Sequence, residues 1–124
     1  MRRENRSIKS RFTALENQLL NTFFSGVYIS ANEIISIGKK VDLELDMNSR
    51  ELLIKELLNK SDANGKLQEC AGLLDALLQE RVHQYHMLSR DYNGAASELA
   101  ALATKTNATR TLLKRESQGN TYEH

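Results

Sequence analysis

The sequence contains no proline and no tryptophan, and it has only six glycines and seven other aromatic residues in 124 positions. Proline and glycine supply most of the turns of β-rich folds, so their scarcity favours helices. Seventeen basic side chains nearly balance sixteen acidic ones, so the chain as a whole has no strong field that would hold nucleic acid or a membrane. Its single cysteine, Cys70, cannot form an internal disulfide, which fits a reducing compartment.

A long hydrophobic run is also missing. Residues 19–37 form an apolar stretch, but Asn21, Asn32 and Glu33 interrupt it. It is therefore neither a signal-peptide core nor a membrane span of about 20 residues. We expect a mature cytoplasmic chain without a transmembrane segment, despite the basic character of residues 1–12.

Apolar residues recur every three or four positions in the first part of the chain, the spacing that places them on one helix face. They are Ile8, Phe12, Leu15, Leu19, Phe23, Val27, Ala31 and Ile34. This pattern predicts a first helix over about 5–37. Ser25 and Gly26 can interrupt it, because Ser30 and Glu33 have the spacing of a capping box that starts a helix. Gly38 is expected to close it.

Residues 38–47 alternate between apolar and acidic side chains. Because no second strand exists to pair with this segment, we interpret it as a connector that places Asp42, Glu44 and Asp46 on one side. Asn48 and Glu51 then suit the start of a second helix over about 48–60. Residues 61–65, Ser-Asp-Ala-Asn-Gly, are typical of a turn.

The second half of the chain carries an unbroken heptad pattern. Its positions are Leu67, Ala71, Leu74, Leu78, Arg81, Tyr85, Leu88, Tyr92, Ala95, Leu99, Leu102, Thr106, Thr109 and Leu113. This predicts a third helix over about 66–116 with a coiled-coil-like seam. Gly94 costs about 1 kcal/mol in mid-helix and could instead mark a turn, but the matching register on both sides favours one continuous helix. Residues 118–124 are predicted to form a disordered tail.

The expected fold is therefore all-α: a single domain over 1–117, built as an antiparallel helical hairpin or bundle with a long C-terminal helix. A helix of about 50 residues spans roughly 75 Å, which the two shorter helices cannot cover. We therefore expect part of the heptad stripe to bind a helix of another protein or a second copy of the chain. The predicted partner-binding residues are Leu74, Leu78, Tyr85, Leu88, Tyr92, Leu99 and Leu102, with a hot spot around the two tyrosines.

Residues capable of catalysis or metal binding occur, but in patterns that fit poorly. Glu80, His83 and His86 offer only one of the two Glu-x-x-His motifs of a di-metal bundle. Residues 62–67 resemble the middle of a calcium-binding loop, but Lys60 and Ala71 stand where its first and last carboxylates belong. We expect no catalytic residue, metal or cofactor, and we interpret Cys70 as a small core residue.

Both ends of the sequence are basic. Arg2, Arg3 and Arg6 lie near the beginning and Lys114 and Arg115 near the end, and an even number of antiparallel helices would bring them together. Such a patch could bind phosphates. An accessory protein for nucleic acid or an anionic surface is therefore the alternative function.

Small helical chains with a long heptad segment occur among secretion and flagellar export chaperones and among small subunits of coiled-coil tethering complexes. This class-level similarity names no function by itself. The favoured hypothesis is a non-enzymatic interaction protein, acting as a small subunit, adaptor or chaperone of a larger assembly.

Overall fold

A computed structural model describes residues 11–118. These residues form an all-α bundle and contain no strand. Six α-helices follow one another: α1 Thr13–Leu20, α2 Thr22–Ser25, α3 Ala31–Lys40, α4 Arg50–Ala63, α5 Leu67–Asp91 and α6 Ala96–Ser117. The predicted fold class, including the long C-terminal helix, is confirmed. None of the helices in the described part of the chain is long and apolar enough to cross a membrane.

The helices run up and down between two ends of the molecule. At one end, which we call the terminal end, Arg11 pairs with Asp62 of α4 at 3.4 Å and Gln68 of α5 donates to the Ser117 carbonyl at 2.9 Å. Residues 11 and 117 therefore both lie beside the turn that joins α4 to α5. At the other end, the distal end, Arg50 at the start of α4 donates to the Ile29 carbonyl at 2.7 Å.

The hydrophobic core draws on every helix except the short α2, and on the connector between α3 and α4. Its fully buried large side chains include Phe12, Leu15, Leu19, Ile29, Ile34, Leu53, Ile54, Leu57, Leu58, Leu74, Leu78 and Leu113. In the connector, Val41, Leu43 and Leu45 point into the core while the three carboxylates between them are exposed. The predicted connector with acidic side chains on one side is thus confirmed.

The predicted continuous helix over 5–37 is wrong within the described residues, and residues 5–10 lie outside them. Helix α1 ends at Leu20, and the Asn21 side chain accepts from the Phe23 backbone to cap α2. Gly26 then takes the left-handed conformation at φ 80°. Helix α3 starts at the capping box that the sequence indicated: Ser30 and Glu33 exchange side chain to backbone hydrogen bonds at 2.9 and 3.1 Å.

Two further helix boundaries differ from the prediction. Helix α3 passes through Gly38 and ends at Lys40. Gly38 allows close packing within the bundle, because a Cβ there would lie 3.0 Å from the Leu45 side chain. Helix α4 is capped by Ser49, which accepts from the Leu52 backbone at 3.2 Å, and it extends to Ala63.

The predicted single helix over 66–116 is also wrong, because the chain reverses near Gly94. Helix α5 ends at Asp91, Tyr92 is extended, and a 3₁₀ turn over Asn93–Ala95 leads into α6. The two helices make the most extensive helix–helix contact of the described bundle. The heptad registers of α5 and α6 agree because the apolar stripes of these two helices pack against each other. A single continuous helix would not require such packing.

An ion pair joins the start of α3 to the middle of α5. Arg81 donates to Glu33 at 2.7 Å, while the second carboxylate oxygen of Glu33 holds the capping box. Burial alone would raise the pKa of Glu33, but the Ser30 backbone N–H and the Arg81 guanidinium outweigh it and lower the pKa. Arg81 therefore occupies a heptad position as an ion-pair partner.

We expect Glu33→Gln to destabilise the protein by about 1–2 kcal/mol at pH 7, since it weakens a charge-assisted hydrogen bond and a helix cap. Because the folded pKa of Glu33 lies below its ordinary value of 4.5, the stabilisation is complete above that pH. It is lost as the pH falls through the folded pKa. Urea unfolding of both proteins at pH 7 and pH 3 measures this. A gap that stays constant would contradict it, and Glu44→Gln on the exposed connector is the control.

Candidate protein-interaction surface

The α5–α6 pair extends past the rest of the bundle at the distal end. Val82 is the last buried residue of α5 and Ala103 the first buried residue of α6. Between them lies a segment, residues 83–102, that is described throughout and contains no buried side chain. We call this segment the hairpin tip. In the rest of the hairpin, α1 and α4 help to bury the inner face of α5 and α6.

The inner face of α5 continues into the hairpin tip without cover. Tyr85, Leu88 and Tyr92 are three and seven residues apart, so they share the face that Leu74 and Leu78 present to the core. Tyr85 is half-buried, Leu88 is 41 % exposed and Tyr92 is 61 % exposed. On α6, Leu99 and Leu102 are half-buried against the hairpin. The apolar face therefore becomes accessible step by step toward the tip.

A second accessible apolar group lies on residues 23–28, which we call the aromatic loop. Phe23, Phe24 and Tyr28 are 72 %, 53 % and 56 % exposed. The Lys105 ammonium lies 4.2 Å from the Phe23 ring centre, and the Arg50 guanidinium lies 4.2 Å from that of Tyr28. Cations over ring faces are attractive contacts. The loop is thus apolar in the middle and positively charged at its edges.

Gly26 holds the aromatic loop against the hairpin. Its carbonyl accepts from the Tyr85 hydroxyl, and a Cβ at Gly26 would lie 2.6 Å from the Leu102 carbonyl oxygen and 2.8 Å from the Thr106 hydroxyl. Only glycine permits both this approach and the positive φ. Burial raises the pKa of the Tyr85 phenol, which Arg81 partly opposes, so the hydroxyl remains a donor at neutral pH.

The distal end holds all of the exposed large apolar residues among those the structure describes. They are Phe23, Phe24, Tyr28, Met47, Leu52, Met87, Leu88 and Tyr92. Taking about 200 Å² for one fully exposed large side chain, they present on the order of 800 Å² of surface. This total is a sum over separate side chains, and it includes Met47 and Leu52, which belong to neither the hairpin tip nor the aromatic loop.

The structure separates the predicted partner-binding residues into two groups. Leu74 and Leu78 are fully buried in the chain's own core, so no partner reaches them in this fold. Tyr85, Leu88, Tyr92, Leu99 and Leu102 all belong to the hairpin tip. Their binding to a partner remains a prediction. The helical spacing of apolar residues does not predict the aromatic loop, because it places Phe23 on the inner face of a helix that ends at Leu20 in the structure.

The basic residues in the last turns of α6 lie at the terminal end, away from the apolar surface, whereas Arg50 and Lys105 lie over the aromatic loop. Lys114 and Arg115 are exposed there, whereas Arg2, Arg3 and Arg6 lie outside the described residues. The neighbouring Arg110 binds Asp75 through two nitrogens at 2.7 and 3.2 Å, and these hydrogen bonds raise its pKa. Arg11 is paired with Asp62. Arg110 and Arg11 are therefore engaged by carboxylates, as is Lys66 in the α4–α5 turn, which lies 3.3 Å from Asp42.

The residues considered for chemistry are spread apart. Cys70 is fully buried, and burial raises the pKa of its thiol. His83 is thirteen positions further along α5, or roughly 20 Å, so the two cannot form a nucleophile–base pair. Glu80, His83 and His86 are exposed, and residues 11–118 contain no group of three side chains placed to hold a metal ion. Asp62, from the calcium-like segment, forms the ion pair with Arg11.

Comparison with protein-family models, with curated proteins and with solved structures gives no match for this chain. The candidate surface therefore rests on the geometry and chemistry of its own residues.

We expect Gly26→Ala to destabilise the fold by about 2 kcal/mol or more, because it combines the left-handed backbone cost of roughly 1–2 kcal/mol with a clash against α6. Gly65→Ala is the matched control. Gly65 also has a positive φ, 74°, but its Cβ would meet nothing within 4 Å, so only the backbone cost applies. Thermal and urea unfolding measure both, and equal losses would show that the loop does not pack as described.

Two leucines of α5 provide a test of where the covered face ends. Leu78→Ala should cost about 2–5 kcal/mol because it opens a cavity in the core. Leu88→Ala, ten residues along the same helix, should change the free energy of unfolding by about 0.5 kcal/mol or less when the protein is dilute. Urea unfolding followed by circular dichroism measures both. A large loss from Leu88→Ala would mean that the hairpin tip is covered.

Proposed function

We propose that this chain is a non-enzymatic protein-interaction protein that acts through its distal end, as a small helical subunit, adaptor or chaperone of a larger cytoplasmic assembly. The observation that carries the proposal is the uncovered continuation of the α5 core face into the hairpin tip. Leu88 and Tyr92 extend the stripe of Leu74 and Leu78, and they remain 41 % and 61 % exposed although α6 packs along the same helix. A helix face that is built like a core and left open is suited to receive another polypeptide.

The aromatic loop widens this surface and adds the side chains that dominate binding energies. Phe23 and Tyr28 offer large rigid rings, and Arg50 stands over one of them. Aromatic residues and arginine are enriched at interface hot spots. The exposed large side chains of the aromatic loop and the hairpin tip sum to on the order of 600 Å², toward the roughly 800 Å² that one partner contributes to a standard interface. Both the area and the composition therefore support protein binding over a merely solvated surface.

The proposal is tested by placing a photo-reactive phenylalanine at Met87, an exposed position of the hairpin tip, in the cells that normally make the chain. We expect irradiation to produce a covalent adduct with a protein, because the reactive group would stand inside the interface. Mass spectrometry of the adduct identifies its components.

The matched control carries the same photo-reactive residue at Gln79. This position is exposed on the same helix but lies beside the covered part of α5. Adducts from Met87 and not from Gln79 support the proposed function. No adduct from either position, or equal adducts from both, would contradict it.

A further inference from the structure

We infer that the distal end binds a second copy of this chain, in a two-fold arrangement that places the hairpin tip of each copy against the aromatic loop of the other. This inference rests on the proposed function and names the partner. Three properties of the distal end carry it: its step-like shape, the position of its charges and the extent of its apolar surface.

The shape is a step. The aromatic loop meets the hairpin at Tyr85 and Leu102, and six further residues of each helix extend beyond these contacts to Asp91 and Ala96. Six helical residues rise about 9 Å, and because the two copies are identical, the tip of a second copy rises by the same height. The hairpin tip of a second copy, approaching head to head, therefore fits on the step. A two-fold axis then fills both steps at once.

The charges at the two parts of the step have opposite signs. The hairpin tip carries the exposed acids Asp91 and Glu98 and one cation, Arg90. The aromatic loop has Lys105 and Arg50 over its rings. Among residues 11–118, neither Lys105 nor Glu98 has an oppositely charged group within 4 Å. Within one copy the tip extends away from its own loop. In the two-fold pair the tip of each copy meets the cations of the other.

The apolar area also favours a second copy over a single foreign helix. A foreign helix lying along the hairpin tip would cover Leu88 and Tyr92 but leave the aromatic loop accessible. A second copy covers both. With on the order of 600 Å² of exposed large side chains from each side, the pair would bury about 1,200 Å², the lower limit of a standard interface.

The experiment measures the mass of the wild-type chain by light scattering and sedimentation from about 1 to 100 µM, the range in which a moderate interface dissociates. Two exposed charges are then reversed separately, in Glu98→Lys and in Lys105→Glu. We expect the wild-type chain to dimerise, and each variant alone to dimerise at least tenfold more weakly, because like charges then meet twice in the pair.

The sharpest outcome is the mixture of the two variants. In a pair of one Glu98→Lys chain and one Lys105→Glu chain, both contacts join opposite charges again. The mixture should therefore recover wild-type association, although each variant associates with itself at least tenfold more weakly. Lys55→Glu reverses an exposed charge on α4 and should leave dimerisation unchanged. Circular dichroism checks that every variant is folded.

A wild-type chain that stays monomeric over the whole range would overturn the inference. So would a dimer that is insensitive to both charge reversals, because its interface would then lie elsewhere. The photo-reactive chain keeps the two proposals separate. A monomer whose Met87 position captures a different protein leaves the proposed function standing and removes the self-pairing, whereas a monomer with no adduct removes both.

Discussion

The packing of α5 against α6 is the contact on which the rest of the structure depends. The heptad stripe of the second half would span far more length than the first half could cover as a single helix. Reversal at Tyr92 and the Asn93–Ala95 turn lets each half of the stripe bury part of the other. The remaining inner face of α5 and α6 is the surface on which α1 and α4 pack. Because the segment of α1 and α2 reaches only as far as Gly26, this surface is longer than the elements that cover it, and the hairpin tip is the part left uncovered.

The sequence predicted the fold class because the heptad spacing and the absence of proline leave few alternatives. It also located the capping box at Ser30 and Glu33, since capping needs only side chains three residues apart. Local spacing could not decide whether the stripe continued through Gly94. Two antiparallel helices in contact and one continuous helix produce the same register, and only the covering of the stripe distinguishes them. The same limit made Leu74 and Leu78 look available to a partner.

The aromatic loop could not be predicted from the sequence for a different reason. Phe23 fits the helical spacing of Phe12, Leu15 and Leu19, so periodicity assigns it to the core. What removes it from the core is the close approach of Gly26 to Leu102, a contact between residues 76 positions apart that no local pattern records.

Residues 11 and 117 lie beside the α4–α5 turn, at the opposite end of α5 from Tyr92. The length of α5, roughly 37 Å, separates them from that residue. A fluorescent label on the exposed Lys114 would therefore stand far from the apolar residues of the distal end.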